Sequence, residues 1–339
     1  MPSRTLNIST SPHITKGGSV EVIMQNVVWA LVPVALFAVY SFGISALLVL
    51  ATAVLSCLLT EHLLCRLSKK ESTVSDWSAI ITGLLLGLTL PPVFPLWMTF
   101  CGGVIAIALG KFIFGGLGYN VFNPALVGRA VLQAAFPVAM TTWYPAFLET
   151  RFSTISASVL TFPFMEPVVD GATGATPLAA FKFDQVTTNT TDLALGQISG
   201  STGETCAVLI LLGGIYLAAR NMLNWRIPVA VLGSVFVLSG IFYLVDSETY
   251  PSPVFTLFSG GLMLGAAFMA TDMVASPITP LGVIIYGAII GVLVVVIRLW
   301  GGLPEGVMYA ILLANAISPH IDNMIKHRVY GTAKNNKRS

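Results

Sequence analysis

Two threonines, Thr173 and Thr176, lie in a run of small residues with the sequence DGATGATPL at positions 170–178. The small neighbours leave both hydroxyl groups sterically open, and Pro177 favours an extended backbone at Thr176. A threonine hydroxyl is a poor nucleophile unless another group removes its proton, and no such base stands out in this chain. We therefore expect an exposed threonine that an external transferase can modify or, in the plainer interpretation, a tight turn.

Three ionisable residues, Glu61, Arg129 and Asp272, lie within or at the end of apolar segments. A charge in such a position is costly and usually has a function or a partner. Glu61 and Asp272 are candidates for an ion pathway, and Thr271 and Ser276 could add oxygen ligands beside Asp272. The alternatives are an interfacial position for Glu61 and a structural ion pair for Arg129.

Asn120 and Asn123 stand at the start of an apolar segment that Pro124 interrupts. One interpretation is helix capping, because asparagine accepts hydrogen bonds from the free backbone N–H groups at a helix start. The other is a polar contact to a bound ring system, which needs hydrogen bonds at one edge and apolar walls elsewhere. The residues themselves leave both interpretations open.

Several kinds of site are not expected in this chain. The four cysteines form no C-x-x-C pair, which argues against a zinc site or a cysteine-ligated iron–sulfur cluster, so we expect no metal centre. The histidines are not spaced to hold a haem between two helices, and no nucleotide-binding loop is recognisable, so direct oxidation of NADH is not expected. The net charge of +2 gives no reason to expect a nucleic-acid partner.

The composition predicts a membrane protein that holds these residues on helices. Hydrophobic residues make up 55% of the 339 residues and charged residues only 9%, whereas a soluble domain has roughly 25% charged residues. A membrane-spanning helix needs about 20 apolar residues. We predict ten such segments, at 24–42, 44–65, 76–91, 95–114, 121–138, 204–220, 226–245, 254–272, 280–300 and 304–322. The third and fifth are short and interrupted by proline, which is typical of helices that line a cavity.

The distribution of charge predicts the topology. If the N-terminus is cytoplasmic, the cytoplasmic segments carry most of the 17 lysines and arginines, as the positive-inside rule requires. The acids collect on the opposite side, at Glu149, Glu166, Asp170, Asp184, Asp192, Glu204, Asp246, Glu248 and Glu305, together with a few basic residues that include Arg298. Both termini are then cytoplasmic, and the long loop at 139–203, which carries Thr176, lies outside.

A short internal repeat predicts how the helices are arranged. Gly83 and Gly87 of the third segment recur as Gly261 and Gly265 of the eighth, each pair enclosing three apolar residues. Because each copy has five spans, the second copy must be inverted, and ligand sites in such proteins lie between the copies. The predicted parts are a cytoplasmic segment (1–23), a first five-helix repeat (24–138), the outer loop (139–203), a second repeat (204–322) and a basic cytoplasmic tail (323–339).

Several sequence blocks resemble a known family. DGATGAT at 170–176 resembles a flavinylation motif whose last threonine carries FMN. DWSAIITGLLL at 76–86, NVFNPAL at 120–126, MATD at 269–272 and PEGVMYAILL at 304–313 resemble the D subunits of the Rnf (Rsx) electron-transport complex. That family is similar to the B subunit of the sodium-pumping NADH:quinone oxidoreductase. The resemblance covers about 11–322.

The resemblance implies cofactors and residues. It implies an FMN phosphoester on Thr176, installed by a flavin transferase, with Asp170, Thr173, Gly174 and Ala175 as the rest of the motif and Thr173 as the alternative acceptor. It also implies a non-covalent riboflavin near Asn120 and Asn123. From its position in an apolar segment, Arg129 is a candidate to stabilise a flavin phosphate or an anionic reduced flavin ring. By similarity to the sodium-pumping relative, Glu61 and Asp272 would serve cation uptake.

The resemblance also implies a setting and an activity. The chain would lie in a bacterial inner membrane with subunits A, B, C, E and G of the complex, and its Thr176 loop would be periplasmic. We expect it to relay electrons through FMN, coupled to Na⁺ or H⁺ movement, as part of an oxidoreductase complex. The alternatives are a redox-free channel or transporter on the same inverted repeat, and a quinone reductase subunit.

Overall fold

The fold consists of helices joined by turns. The computed structural model describes residues 19–165, 174–204 and 206–325, and these contain no β-strand. Asp170 and Thr173 lie outside the described residues, as does most of the predicted N-terminal segment and of the basic tail. The all-α prediction is confirmed.

The helices follow the predicted segments closely. They are α1 (Val20–Phe42), α2 (Ile44–Leu67), α3 (Ser78–Thr89), α4 (Leu96–Gly110), α5 (Pro124–Ala135), α6 (Pro137–Met140), α7 (Pro177–Asp184), α8 (Thr190–Leu195), α9 (Ala207–Ala219), α10 (Arg226–Val245), α11 (Pro253–Phe258), α12 (Leu262–Leu264), α13 (Pro280–Trp300) and α14 (Val307–Met324). A π-helical turn, Gly265–Met269, extends α12. The eighth predicted segment is therefore broken into α11, α12 and this turn.

Five of the described helices are long and apolar enough to cross a bilayer: α1, α2, α4 with the short turn after it, α10 and α13. Leu47, Leu55 and Leu59 on α2 are half exposed or more, as expected for a surface that faces lipid. The helices α3 and α9 are apolar but shorter. These features confirm an α-helical protein that passes through the membrane several times.

Contacts between helix ends show which ends share a face of the molecule. Arg220, after α9, donates a hydrogen bond of 3.1 Å to the side chain of Asn26, near the start of α1. The backbone N–H of Gly203, before α9, donates to the carbonyl of Leu88 at the far end of α3, at 2.6 Å. We call the end where α1 begins the N-terminal face and the opposite end, which carries the 139–203 loop, the loop face.

Two helix pairs share the same close contact. A Cβ atom built on Gly103 of α4 would lie 1.9 Å from Oγ of Ser56 in α2, and one on Gly291 of α13 would lie 1.9 Å from Oγ of Ser234 in α10. Each serine donates to the carbonyl three residues before it. Ser56 and Ser234 are as far apart in the chain as Gly83 and Gly261. The two helix pairs are those that the predicted repeat relates to each other, and the repeat itself stays a prediction.

The described part of the 139–203 loop packs on the helices. Leu178, Leu193 and Ile198 of the loop form a small apolar core with Phe255 of α11. The ammonium of Lys182 donates to the carbonyls of Arg298 and Gly301 at the end of α13. Its partial burial lowers the pKa of the Lys182 ammonium. These contacts hold α7, and with it Thr176, against the loop face.

Candidate functional site

Thr176 caps the start of α7. Its backbone is extended, with φ −69° and ψ 153°, as predicted from the proline that follows. Its Oγ accepts a hydrogen bond of 3.2 Å from the N–H of Ala179, which satisfies one of the free donors of the first turn. The predicted exposure of this residue is wrong: Thr176 is 2% exposed, because its cap and the packing of α7 cover the side chain.

A cavity of about 410 Å³ opens beside this cap. We call it the loop-face cavity, and its walls include Arg129, Trp143, Gly174, Ala175, Ser201 and Tyr309. The loop wall is held by two contacts. The N–H of Gly174 donates to the carbonyl of Trp143 at 3.1 Å, and the hydroxyl of Ser199 donates to the carbonyl of Ala175 at 2.6 Å. The cavity therefore joins two residues of the 170–176 motif to aromatic and charged side chains of the helices.

Arg129 forms an ion pair in this cavity. Its Nη2 lies 2.8 Å from Oε2 of Glu305, and both side chains are largely buried. The structural ion pair that was the alternative interpretation of Arg129 is thus present. Arg129 and Glu305 also line the loop-face cavity. Arg129 lines the loop-face cavity and not the pocket around Asn120 and Asn123, and its predicted contact to a flavin stays a prediction.

Charged residues that the sequence placed at the outer surface lie inside the protein. Glu204 is 5% exposed and Arg298 is 6% exposed. Arg298 donates to the carbonyls of Thr256 and Ser259 at 2.6 and 2.8 Å. Sequence reasoning missed these two residues because each stands at the end of an apolar segment, where the charge pattern alone indicates an interface.

A second, smaller cavity lies near the N-terminal face. Its volume is about 110 Å³, and its walls include Ser78, Lys111, Asn120, Asn123, Phe268 and Asp272. We call it the N-terminal-face cavity. Residues of α3 and of the start of α5 line it, as predicted for the short third and fifth segments, together with residues in and after the π-helical turn.

The two asparagines bind protein groups. Oδ1 of Asn123 accepts from the N–H groups of Ala125 and Leu126, so Asn123 is the N-cap of α5. Its Nδ2 donates to the carbonyl of Met269 at 3.2 Å. Asn120 donates to Oδ2 of Asp272 at 3.0 Å. The capping interpretation holds for Asn123, which ties the start of α5 to the π-helical turn, whereas Asn120 contacts Asp272, three residues beyond that turn.

Asp272 is held by local hydrogen bonds. Its Oδ1 accepts from the N–H of Val274 at 3.1 Å, and its Oδ2 accepts from Asn120. The hydroxyl of Thr271 donates to the carbonyl of Ala267. Asp272 also lines the N-terminal-face cavity. The ion-pathway role of this carboxylate stays a prediction.

Glu61 forms a buried ion pair near the same face. Nζ of Lys111 lies 2.6 Å from Oε1 of Glu61 and donates to Oγ of Ser78 at 2.5 Å. The hydroxyl of Thr73 also donates to Glu61. Glu61 is 2% exposed, and both its ion-pathway role and the alternative interfacial position stay predictions. Lys111 was not predicted from the sequence as the partner of Glu61, since it lies on another helix.

The comparison with known proteins decides the family. The model of the NQR2, RnfD, RnfE family matches residues 7–331. The chain belongs to this family. The match includes both cavities and the 170–176 motif, and it confirms the resemblance noted from the sequence blocks.

Individual members of the family are similar along nearly their whole length. The D subunit of the proton-translocating ferredoxin:NAD(+) oxidoreductase complex of Clostridium ljungdahlii is 42% identical over 96% of both chains. The Na(+)-translocating counterpart from Acetobacterium woodii is 41% identical over 98% of both chains. The D subunit of the ion-translocating oxidoreductase complex of Aliivibrio salmonicida is 40% identical, over 96% of this chain and 99% of its own. The relative named for proton translocation and the relative named for Na(+) translocation are thus almost equally similar to this chain.

Proposed function

We propose that this chain is the membrane subunit of an ion-translocating oxidoreductase complex that relays electrons through FMN held as a phosphoester on Thr176. The observation that carries the proposal is the position of the Thr176 cap beside the loop-face cavity. The relatives named as subunits of ferredoxin:NAD(+) oxidoreductase complexes support an electron-transfer role. They favour it over the redox-free channel or transporter.

The local chemistry suits a phosphoester at this position. Oγ of Thr176 accepts a hydrogen bond and donates none that the structure describes, so replacement of its hydrogen breaks no described contact. A phosphate there would lie at the start of α7, where free N–H groups and the helix dipole favour an anion. Since Thr176 is buried, we expect the first turn of α7 to open while the transferase acts.

The loop-face cavity has the size and walls that a flavin ring requires. Its volume of about 410 Å³ falls within the roughly 300–1,000 Å³ of ordinary ligand pockets. Trp143 and Tyr309 supply aromatic walls, while Arg129 and Ser201 supply polar groups. When bound, the flavin would supply the electron-accepting ring, and these residues would orient it and limit the access of water.

The riboflavin expected near Asn120 and Asn123 does not fit the second cavity as it stands. A volume of about 110 Å³ is well below that of ordinary ligand pockets. The amide groups of both asparagines are also engaged by protein groups. A second flavin there would require α5 and the π-helical turn to move apart, and we assign no step to it.

We further propose the setting of the relay. Subunits A, B, C, E and G of an Rnf-type complex would be the partners, in a bacterial inner membrane, with the Thr176 loop on the periplasmic side. The names of the relatives, which are subunits of such complexes, support the presence of partner subunits. The relay would be coupled to movement of Na⁺ or H⁺.

The covalent flavin can be tested directly. The chain is co-expressed with a flavin transferase and separated by denaturing electrophoresis, and the gel is examined for flavin fluorescence. We expect a fluorescent band for the wild type and none for Thr176→Ala, because the alanine has no oxygen to carry the phosphate. Mass spectrometry of the peptide that contains residue 176 should show the added FMN.

Two controls make the result specific. Thr190→Ala, in the same loop but outside the motif, should keep the fluorescence. Thr173→Ala tests the alternative acceptor. If the peptide from this variant still carries flavin at residue 176, Thr173 is excluded as the acceptor. A dark wild-type band, with a transferase that is active on a known substrate, would refute the proposed relay.

A further inference from the structure

Glu204 is a buried carboxylate with few partners. It is 5% exposed and lies between the 139–203 loop and α9. Oε2 accepts one hydrogen bond of 3.3 Å from the N–H of Ser201. Oε1 is buried and has no hydrogen-bond partner among the residues that the structure describes. A buried charge with so little compensation is costly.

The charged groups around Glu204 are engaged elsewhere. They are Arg129 of α5, Arg298 of α13 and Glu305 before α14. Arg129 pairs with Glu305 at 2.8 Å, and Arg298 donates to the carbonyls of Thr256 and Ser259. Within the described ranges, no basic nitrogen lies within 4.0 Å of Glu204. Glu204 is therefore the carboxylate of this group without an ion pair.

Glu204 does not itself line the loop-face cavity, but its unpartnered oxygen lies next to a residue that does. Ser201 and Gly261 line that cavity, and a Cβ atom built on Gly261 would lie 3.3 Å from Oε1 of Glu204. Any negative charge added to a group in the cavity would thus be added beside a carboxylate that has no cation of its own. At low dielectric, two such charges repel strongly.

We propose that Glu204 is a proton-binding site that takes up one proton when the flavin in the loop-face cavity is reduced. This inference rests on the proposed function. A reduced one-electron carrier would add one negative charge to the flavin ring and would itself be oxidised by one electron. A proton from hydronium in the water at the loop face would then form an O–H bond with the Glu204 carboxylate and leave neutral water, so the total charge around the cavity would be unchanged.

Infrared difference spectroscopy on the flavin-bearing full-length chain in lipid nanodiscs tests the proposal, with dithionite as the electron donor. Reduction should produce the C=O stretch of a protonated carboxylic acid, and the band should shift in D₂O. The band should be absent in Glu204→Gln, which keeps the shape of the side chain. The flavin midpoint potential should also depend less on pH in that variant than in the wild type.

Three control variants and one salt control define the outcomes. The exposed acid variant Glu248→Gln and the paired acid variant Glu305→Gln should keep the band. Glu204→Asp should keep the carboxylic-acid band at a shifted frequency. This variant replaces Glu204→Gln as the test if the glutamine variant does not fold. No band in the wild type, a band that persists in Glu204→Gln, or a band that Na⁺ suppresses would refute the proton site. A chain without flavin fluorescence would refute the proposed function itself.

Discussion

Single charged residues of this protein are stabilised by partners from distant parts of the chain. Arg129 pairs with Glu305 near the loop-face cavity, and Lys111 pairs with Glu61 near the N-terminal face. Without its partner, each lysine or arginine would be a poorly compensated cation among apolar helices, which is costly. The pairs explain how helices that carry these charges can pack inside a membrane.

Loss of one partner should cost more than loss of both. Arg129→Met leaves the Glu305 carboxylate without its ion pair, and breaking a buried pair in this way costs about 3–5 kcal/mol. We therefore expect a decrease of that size in the free energy of unfolding, measured by denaturant titration in mixed detergent micelles.

The double variant Arg129→Met with Glu305→Gln should recover much of this loss, because no uncompensated charge remains. Equal stability of the single variant and the wild type would show that the pair contributes nothing. A double variant that is no more stable than Arg129→Met would show that side-chain packing, and not charge, explains the loss.

Pairs of helices depend on small residues at their crossing points. Gly103 lets α4 approach Ser56 of α2, and Gly291 lets α13 approach Ser234 of α10. Close packing of this kind is a main source of helix association in membranes. The same glycine–serine contact therefore holds α4 against α2 and α13 against α10.

A methyl group at this crossing should destabilise the second half. The Cβ of Gly291→Ala would lie 1.9 Å from Oγ of Ser234 and 2.8 Å from the carbonyl oxygen of Val231. A rotation of Ser234 relieves only the first contact. We expect a cost of about 1–3 kcal/mol, as for other overpacked positions, measured by the same unfolding titration.

Gly233 of α10 provides the matched control. A Cβ atom at this position meets nothing within 4 Å, so Gly233→Ala should be neutral or stabilising by about 0.5–1 kcal/mol, since alanine favours the helix. If Gly291→Ala and Gly233→Ala had equal stability, the close approach of α13 to α10 would not limit the packing of these helices.

At the scale of the whole molecule, the loop-face cavity and the N-terminal-face cavity lie near opposite faces. The loop-face cavity lies beside Thr176, and the N-terminal-face cavity lies beside Asn120, Asn123 and Asp272. Helices α5 and α12 with its π-helical turn contribute to the walls of both. A change in the packing of these short helices would therefore reach both cavities.

The topology predicts which loops a reagent can reach from outside. Thr190→Cys in the 139–203 loop and Lys70→Cys between α2 and α3 both place a thiol at an exposed position. In spheroplasts of a variant without native cysteines, a membrane-impermeant maleimide should label residue 190. It should label residue 70 only after the membrane is opened, because the two positions lie on opposite faces. The reverse pattern would invert the predicted orientation.

Much of the architecture follows from the sequence alone. Runs of about 20 apolar residues must be helical in a membrane, because their backbone polar groups have no other partners there. Proline and glycine mark where α3, α5 and α12 stop, since proline cannot continue a helix and glycine weakens it. The extended backbone of Thr176 likewise follows from Pro177. These features depend on neighbours in the chain.

The tertiary structure alone decided which residues meet. Burial of Thr176, the pair of Lys111 with Glu61, and the position of Glu204 beside the loop-face cavity all depend on contacts between segments far apart in the chain. A charge at the end of an apolar run has the same local pattern whether it faces water or a second helix. Its environment is set by long-range packing, which brings the loop-face cavity and its charged residues together.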